Sequence, residues 1–175
     1  MDKDQSWEET QAERERAIAS KACWDKFFVG MAEYASTKSK DRSTKVGAVI
    51  VGTSHNILSI GFNGFPRGVN DNVDARHDRP AKYMYTEHAE RNAIYNAARH
   101  GIRLDGAILY LNGGGLPCDD CARGIIQSGI VEVVSMDKPF EGKGGIWEEK
   151  ERVSAEMFKE AGVRVVRLRA DFTRV

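Results

Sequence analysis

Hydrophobic and polar positions change period several times along the chain, and each change marks an element. From Trp7 to about Thr37 apolar residues recur every three or four positions. Trp24, Phe27, Phe28, Met31 and Tyr34 form the strongest set, which predicts an amphipathic helix with that stripe in the core. Its first turns, Glu8 to Arg16, lack a stripe, so residues 1–16 read as a frayed, solvated extension or an oligomer contact. Val46 to Val51 and Ile57 to Asn63 are β-rich runs around the turn-rich Gly52-Thr53-Ser54-His55-Asn56, hence an antiparallel hairpin with His55 as a solvated turn residue. Residues 64–85, punctuated by Pro66, Gly68, Asn70, Asn72 and Pro80, have no period and read as a long loop insertion of the kind that carries function.

The second half alternates. Thr86 to Arg99 reads as a helix stopped by Gly101, Ala107 to Asn112 as a strand, and Cys118 to Ser128 as a helix ended by Gly129. Val131 to Met136 is a strand, Gly142 to Gly145 a flexible loop, Ile146 to Ala161 a helix and Val163 to Leu168 the last strand. Helices between single strands imply parallel pairs with crossover connections. The expected fold is therefore α/β, a three-layer α/β/α sandwich on a five-stranded mixed sheet, with residues 1–175 forming one domain.

Composition narrows the partners. Lys plus Arg and Asp plus Glu both number 26, so no global field gathers polynucleotide or anionic membrane, and a phosphate contact must be local. No apolar h-region opens the chain and no 18-residue apolar run occurs, so neither secretion nor membrane spanning is indicated. Of three cysteines, two sit in one C-x-x-C; this suits a reducing compartment, with cytoplasm the default, and leaves Cys23 as a small buried hydrophobe of the first helix.

The chemistry concentrates between Glu87 and Cys121. His88-Ala89-Glu90 opens one predicted helix and Pro117-Cys118-Asp119-Asp120-Cys121 opens another, with 29 residues between His88 and Cys118. One imidazole and two thiols leave the fourth position of a tetrahedral zinc open to water, the layout of a catalytic rather than a structural site. Cysteines at i and i+3 share a helix first turn, where unpaired N–H groups and the positive dipole end favour thiolate. Glu90 is close enough to that water to carry protons and is poorly placed to share the metal. A redox C-x-x-C does not need the His-x-Glu pair. A structural zinc needs a fourth protein ligand, and His100 lies past the helix core; Asp119 and Asp120 are more simply first-turn acids complementing the dipole.

H-x-E followed by P-C-x-x-C is the signature of zinc nucleobase deaminases. Together with Ser39-Lys40-Asp41, Val46-Gly47-Ala48-Val49-Ile50-Val51, Gly61-Phe62-Asn63-Gly64 and Lys82-Tyr83 through Ile94, it resembles the deoxycytidylate deaminase family over roughly residues 22 to 136. The resemblance implies zinc as cofactor and hydrolysis of dCMP to dUMP and ammonia, supplying dUMP for thymidylate synthesis. It also implies substrate contacts at Asn63, Ser43, Lys45, Ala89, Tyr110, Asn112 and Pro117, with Lys45 as a 5′-phosphate partner. On composition alone Asn63 could equally cap a strand-end turn, and Lys45 could equally be a strand residue facing water. The family further implies a homo-oligomer, commonly a hexamer, in which catalytic helices exposing Arg91, Tyr95 and Arg99 meet across subunits. Control by dCTP and dTTP near residues 64–85 is also implied. Some members hold a second zinc there; His77 is the lone candidate ligand and no cysteine joins it, so none is expected. The segment from Tyr110 to Pro117 departs from the family, with Asn112 and three consecutive glycines in place of a shorter Thr-containing run. Another amino-bearing base or a modified nucleotide therefore stays open, as does a non-catalytic zinc-stabilised module.

Overall fold

Strands β1 (Gly47–Val51), β2 (Ile57–Phe62), β3 (Ile108–Gly114), β4 (Glu132–Met136) and β5 (Arg164–Leu168) form one sheet in the order β2-β1-β3-β4-β5. β1 is antiparallel to both its neighbours, while β3–β4 and β4–β5 are parallel. The parallel steps follow from helices α4 (Asp119–Gln127) and α5 (Ile146–Glu160), each of which returns the chain for the next strand. Helix α1 (Lys3–Ser36) covers one face, and α3 (Ala89–Arg99), α4 and α5 cover the other, completing the three layers. The protein is described from a computed structural model covering residues 3–137 and 146–174, with side chains for 10–137 and 147–174.

The two faces are written into the strands as alternation. Ala48, Ile50, Leu109, Leu111 and Val133 pack against Ala89, Ala93 and Ala97 of α3, Ile125 of α4 and Phe158 of α5. Val49, Val51, Tyr110, Val134 and Leu168, one residue out of step, pack against Phe28, Val29 and Ala32 of α1. Two glycines let the helices seat closely. A Cβ on Gly47 would lie 1.9 Å from the Ala32 carbonyl oxygen, and one on Gly61 would lie 2.4 Å from both Ala89 O and Ala93 N. Gly61 therefore serves the approach of α3 to β2.

Helix α1 differs from the expectation in which face it buries. Asp25, Phe28, Val29, Ala32 and Ala35 are inside, whereas Trp24, Phe27 and Tyr34 are exposed and Met31 is half-buried. Asp25 is held in place by groups distant in sequence: Arg174 donates to both its oxygens at 2.7 and 2.8 Å, and the Tyr110 hydroxyl donates to Oδ1 at 3.1 Å. Arg174 also reaches the buried Glu132 at 2.9 Å, and Arg164 pairs with the same carboxylate. Cys23 is exposed, not buried, because it lies on the outer arc of α1. His55 is exposed at the hairpin tip as expected, with φ 60°, and its ring stacks on Trp24 at 4.3 Å.

The stretch 64–85 is less irregular than expected. It contains a 3-10 turn, Asp74–Arg76, and a one-turn helix α2, Lys82–Tyr85, and it is anchored by an antiparallel bridge from Gly64 to Glu87. Within it His77 Nε2 donates to the Asp71 carbonyl oxygen, 2.7 Å away, and the ring stacks on Phe65 at 4.9 Å. The flexible loop expected at Gly142 to Gly145 lies outside the described residues, as do the side chains of Trp7 and Glu8.

Candidate active site

Helices α3 and α4 begin side by side beyond the carboxyl end of the central strand β3, and the residues that start them carry the chemistry. His88 is the N-cap of α3 and Cys118 the N-cap of α4, both with extended backbone (ψ 155° and 167°), and Cys121 lies one turn into α4. Neither cap makes a side-chain bond to its own helix, so both side chains are free to turn toward each other. His88 Nδ1 lies 3.5 Å from Cys118 Sγ and 3.4 Å from Cys121 Sγ, and the three ligand atoms all fall within 4.8 Å of one another. A tetrahedron with Zn–S of about 2.3 Å and Zn–N of about 2.0–2.1 Å has S···N edges of about 3.6 Å, so this donor set fits zinc. Among the described residues no fourth His, Cys, Asp or Glu atom joins the cluster.

Electrostatics agrees with a cation site. Burial works against charge on His88, but the hydrogen bond and charge of Cys118 outweigh it and raise the imidazole to about 9. The Cys121 thiol, then His88, bring Cys118 down to about 4 against its burial. Cys121 is pushed well up by the neighbouring Cys118 thiolate, by burial and by Glu90. The trio retains protons that a thiophilic cation would displace. Glu90, in the first turn of α3, is 7% exposed, and burial pushes its carboxyl up although His88 opposes the shift. Asp119 and Asp120 are engaged elsewhere, with Lys150 at 2.7 and 3.4 Å and with Arg123.

One open cavity, with solvent at its mouth, contains His88, Glu90 and Cys118. Asn63, Ala89 and Pro117 line it, as do Gly113 to Leu116. Asn63 holds the entrance together: its Oδ1 accepts from Val46 N and its Nδ2 donates to Thr44 O, both at 2.8 Å, leaving one lone pair and one N–H. Four expected contacts lie elsewhere. Tyr110 points to the α1 face, where burial and Asp25 push its phenol up. Asn112, of the same parity, accepts from Gly47 N at 2.7 Å. Lys45 is exposed and outside the lining, which its neighbours Thr44 and Val46 provide. Ser43 also stands outside the lining, its hydroxyl bonded to Asp41 and accepting from Lys82.

The residues missed from sequence come from two segments. Lys82 is 7% exposed, and its ammonium sits 2.8 Å from Asp41 and 2.7 Å from Ser43 Oγ, so it fixes the approach to β1 at the wall of the cavity, which Lys82 and Asp41 both line. Asp41 in turn accepts from the amides of Ser43 and Thr44 at 2.9 and 3.0 Å. Tyr83 and Trp147, ring centroids 5.9 Å apart, form an aromatic wall with Trp147 6.3 Å from the His88 ring; Arg79 donates to the Tyr83 hydroxyl. The concentration of Arg79 and Lys82 in residues 64–85 was the available signal. Trp147 offered none, since a tryptophan at a helix start reads as packing.

Residues 22–137 match the family described as the cytidine and deoxycytidylate deaminase zinc-binding region. The chain is 45% identical over 152 residues to an uncharacterized deaminase in the luxG 3' region of Aliivibrio fischeri, covering 86% of this chain and 97% of that one. It is 33% identical over 157 residues to the deoxycytidylate deaminase of Mus musculus, covering 87% and 83%. The dCMP deaminase of cyanophage S-TIM5, solved in complex with dCMP and dUMP, superposes with a TM-score of 0.64 at 26% identity over 82% of this chain and 95% of that one.

Proposed function

Because the chain belongs to the cytidine and deoxycytidylate deaminase family with its zinc-binding region, we propose that it hydrolyses dCMP to dUMP and ammonia and thereby supplies dUMP for thymidylate synthesis. The observation that carries this is a three-ligand cluster and a buried carboxylate facing one open cavity. The relatives named as deoxycytidylate deaminases, and the phage enzyme solved with dCMP and dUMP, favour this substrate over another amino-bearing base.

His88, Cys118 and Cys121 would hold zinc. Zinc bound there supplies Lewis-acid activation of a water molecule. Glu90 relays both protons of that water in turn, one to ring nitrogen N3 and the other to the amine, so that the C4–N bond breaks, ammonia departs and the water oxygen stays on C4 as the carbonyl. Burial, which raises its proton affinity, is the direction a group needs when it must first accept and then donate. Ala89, Pro117 and the glycines 113–115 bound the base, and the Tyr83–Trp147 wall gives it an aromatic face. Asn63 presents its remaining lone pair and N–H toward the sugar, and Arg79 is the local cation for the 5′-phosphate, since Lys82 is neutralised by Asp41.

The same reading extends to the whole chain as one deaminase domain, with residues 1–16 an extension and 64–85 an insertion. It includes a cytoplasmic homo-oligomer, a hexamer favoured, under dCTP and dTTP control. Exposed Ile60, Phe62 and Tyr95 beside α3 support assembly. The test is a substrate panel of dCMP, CMP, deoxycytidine and free cytosine with the zinc-loaded protein. Turnover of dCMP at a kcat/KM well above the others supports the proposal, and failure on dCMP with turnover of another member removes the substrate while keeping the reaction.

A further inference from the structure

Helix α1 has two apolar arcs and the sheet uses one. Asp25, Phe28, Val29, Ala32, Ala35 and Ser36 face inward and are buried. On the opposite side Ser20, Cys23, Phe27, Gly30 and Tyr34 are all exposed and recur at steps of three, four, three and four. That is the a/d spacing of a helix pair. Phe27 is 52% and Tyr34 75% exposed, and a Cβ built on Gly30 meets nothing within 4 Å.

We propose that this outer seam of α1 pairs antiparallel with the same seam of a second copy of the chain. The argument is size and charge complementarity about a two-fold axis. When residues whose numbers sum to 57 face each other, Phe27 lies over the partner's Gly30 and Tyr34 over the partner's Cys23, so every bulky ring meets a small residue. The flanking positions of the same register set Lys26 beside the partner's Glu33, and Trp24 beside the partner's Met31, each twice by symmetry. A parallel pair would instead stack Phe27 on Phe27 and Tyr34 on Tyr34, and would set Lys26 beside the partner's Met31. The overlap runs over residues 21–36, roughly 24 Å of helix, and the exposed residues 13–20 of α1 then continue past the end of that overlap. Lys26 now rests over the Phe172 ring at 5.7 Å, within reach of either partner. The inference rests on the homo-oligomeric reading above and gives it a specific interface.

Cys23 makes the test direct, because it is exposed while Cys118 and Cys121 are buried. In the antiparallel register two copies of Cys23 sit roughly 16 Å apart, while Tyr34 faces the partner's Cys23. The full-length zinc-loaded protein and its Y34C variant are oxidised with copper phenanthroline at micromolar concentration and run without reductant. Wild type should stay uncrosslinked and Y34C should give a covalent dimer, while sedimentation of the wild type shows a species above 19.5 kDa. K26E and E33K should each weaken the dimer on the order of tenfold, and the K26E/E33K double variant should restore it. These side chains are exposed, so folding survives and dCMP turnover and circular dichroism monitor it. A Cys23–Cys23 crosslink in wild type overturns the register. An oligomer that persists with Y34C uncrosslinked overturns the seam but leaves the homo-oligomer standing. A 19.5 kDa species overturns both.

Discussion

Replacing Gly61 by alanine should damage the catalytic centre without touching any catalytic group. A methyl at that position lies 2.4 Å from Ala89 O and Ala93 N, about 1 Å short of the 3.4 Å at which ordinary contact begins, and both obstacles are backbone of α3. Neither can rotate away, so the first turn of α3 must move relative to β2. His88 and Glu90 ride on that turn, whereas Cys118 and Cys121 belong to α4 and stay behind. Overpacking of this kind costs about 1–3 kcal/mol. For a chain of this size that is a fall in Tm of roughly 2–4 °C per kcal/mol. A displacement near 1 Å at reacting groups costs about a hundredfold in rate. Differential scanning calorimetry and steady-state kinetics on dCMP, with zinc content measured in parallel, read all three. Gly64→Ala is the control, because its Cβ meets nothing within 4 Å, and its Tm should not change. A Gly61→Ala protein with wild-type Tm and kcat/KM would refute the packing argument.

Three further outcomes are expected. Asp41 is held below its ordinary value of 3.8, against burial, by Lys82 and the amides of Ser43 and Thr44. Its contribution is therefore full above the unfolded value and lost as pH falls through the folded one, so wild type should lose its stability advantage over Asp41→Asn on acidification below about pH 4. Thermal melts of the two proteins from pH 7 to pH 2 check this, and parallel curves would contradict it. Arg174→Ala strips a counter-charge from Asp25 and Glu132, which are 0% and 1% exposed, and should cost about 3 kcal/mol in urea unfolding, the low end for a buried pair because Arg174 itself is partly exposed. It should leave kcat on dCMP unchanged, since the network lies on the α1 side of the sheet; a large kcat loss would show that the faces are coupled. Trp147→Ala removes the aromatic wall beside His88 and should raise KM for dCMP about tenfold, within the usual range for stacking on a base, with zinc content intact. An unchanged KM would place the base elsewhere.

The metal cluster and Glu90 were legible in the sequence because their chemistry is local: each half sits in the first turn of a helix, and spacing alone defines it. The five strands were legible for the same reason, as short apolar runs with a glycine shortly before or after each. What was not legible depended on facing. Tyr110 and Asn112 are one residue out of step with Leu111 and Gly113, and on a strand one residue decides the side of the sheet. The same parity separates Lys45 from Thr44 and Val46. In α1 the periodicity of Trp24, Phe27, Met31 and Tyr34 was real, but a helix with two apolar arcs does not say which one the sheet takes. Arg174 decides it by bringing a guanidinium to Asp25 from 149 residues away. Lys82 was visible as charge in a loop and invisible as a buried partner of Asp41, 41 residues distant.

The central claim is that Glu90 moves the proton in a zinc-dependent hydrolysis of dCMP, and Glu90→Gln tests it most directly. Amide for carboxylate keeps the shape and removes the proton acceptor. The account predicts a folded variant with one zinc per chain and a single-turnover rate of dCMP loss, followed by cytosine absorbance and ammonia release, at least about a hundredfold below wild type. A zinc-loaded Glu90→Gln that deaminates dCMP at the wild-type rate would contradict it.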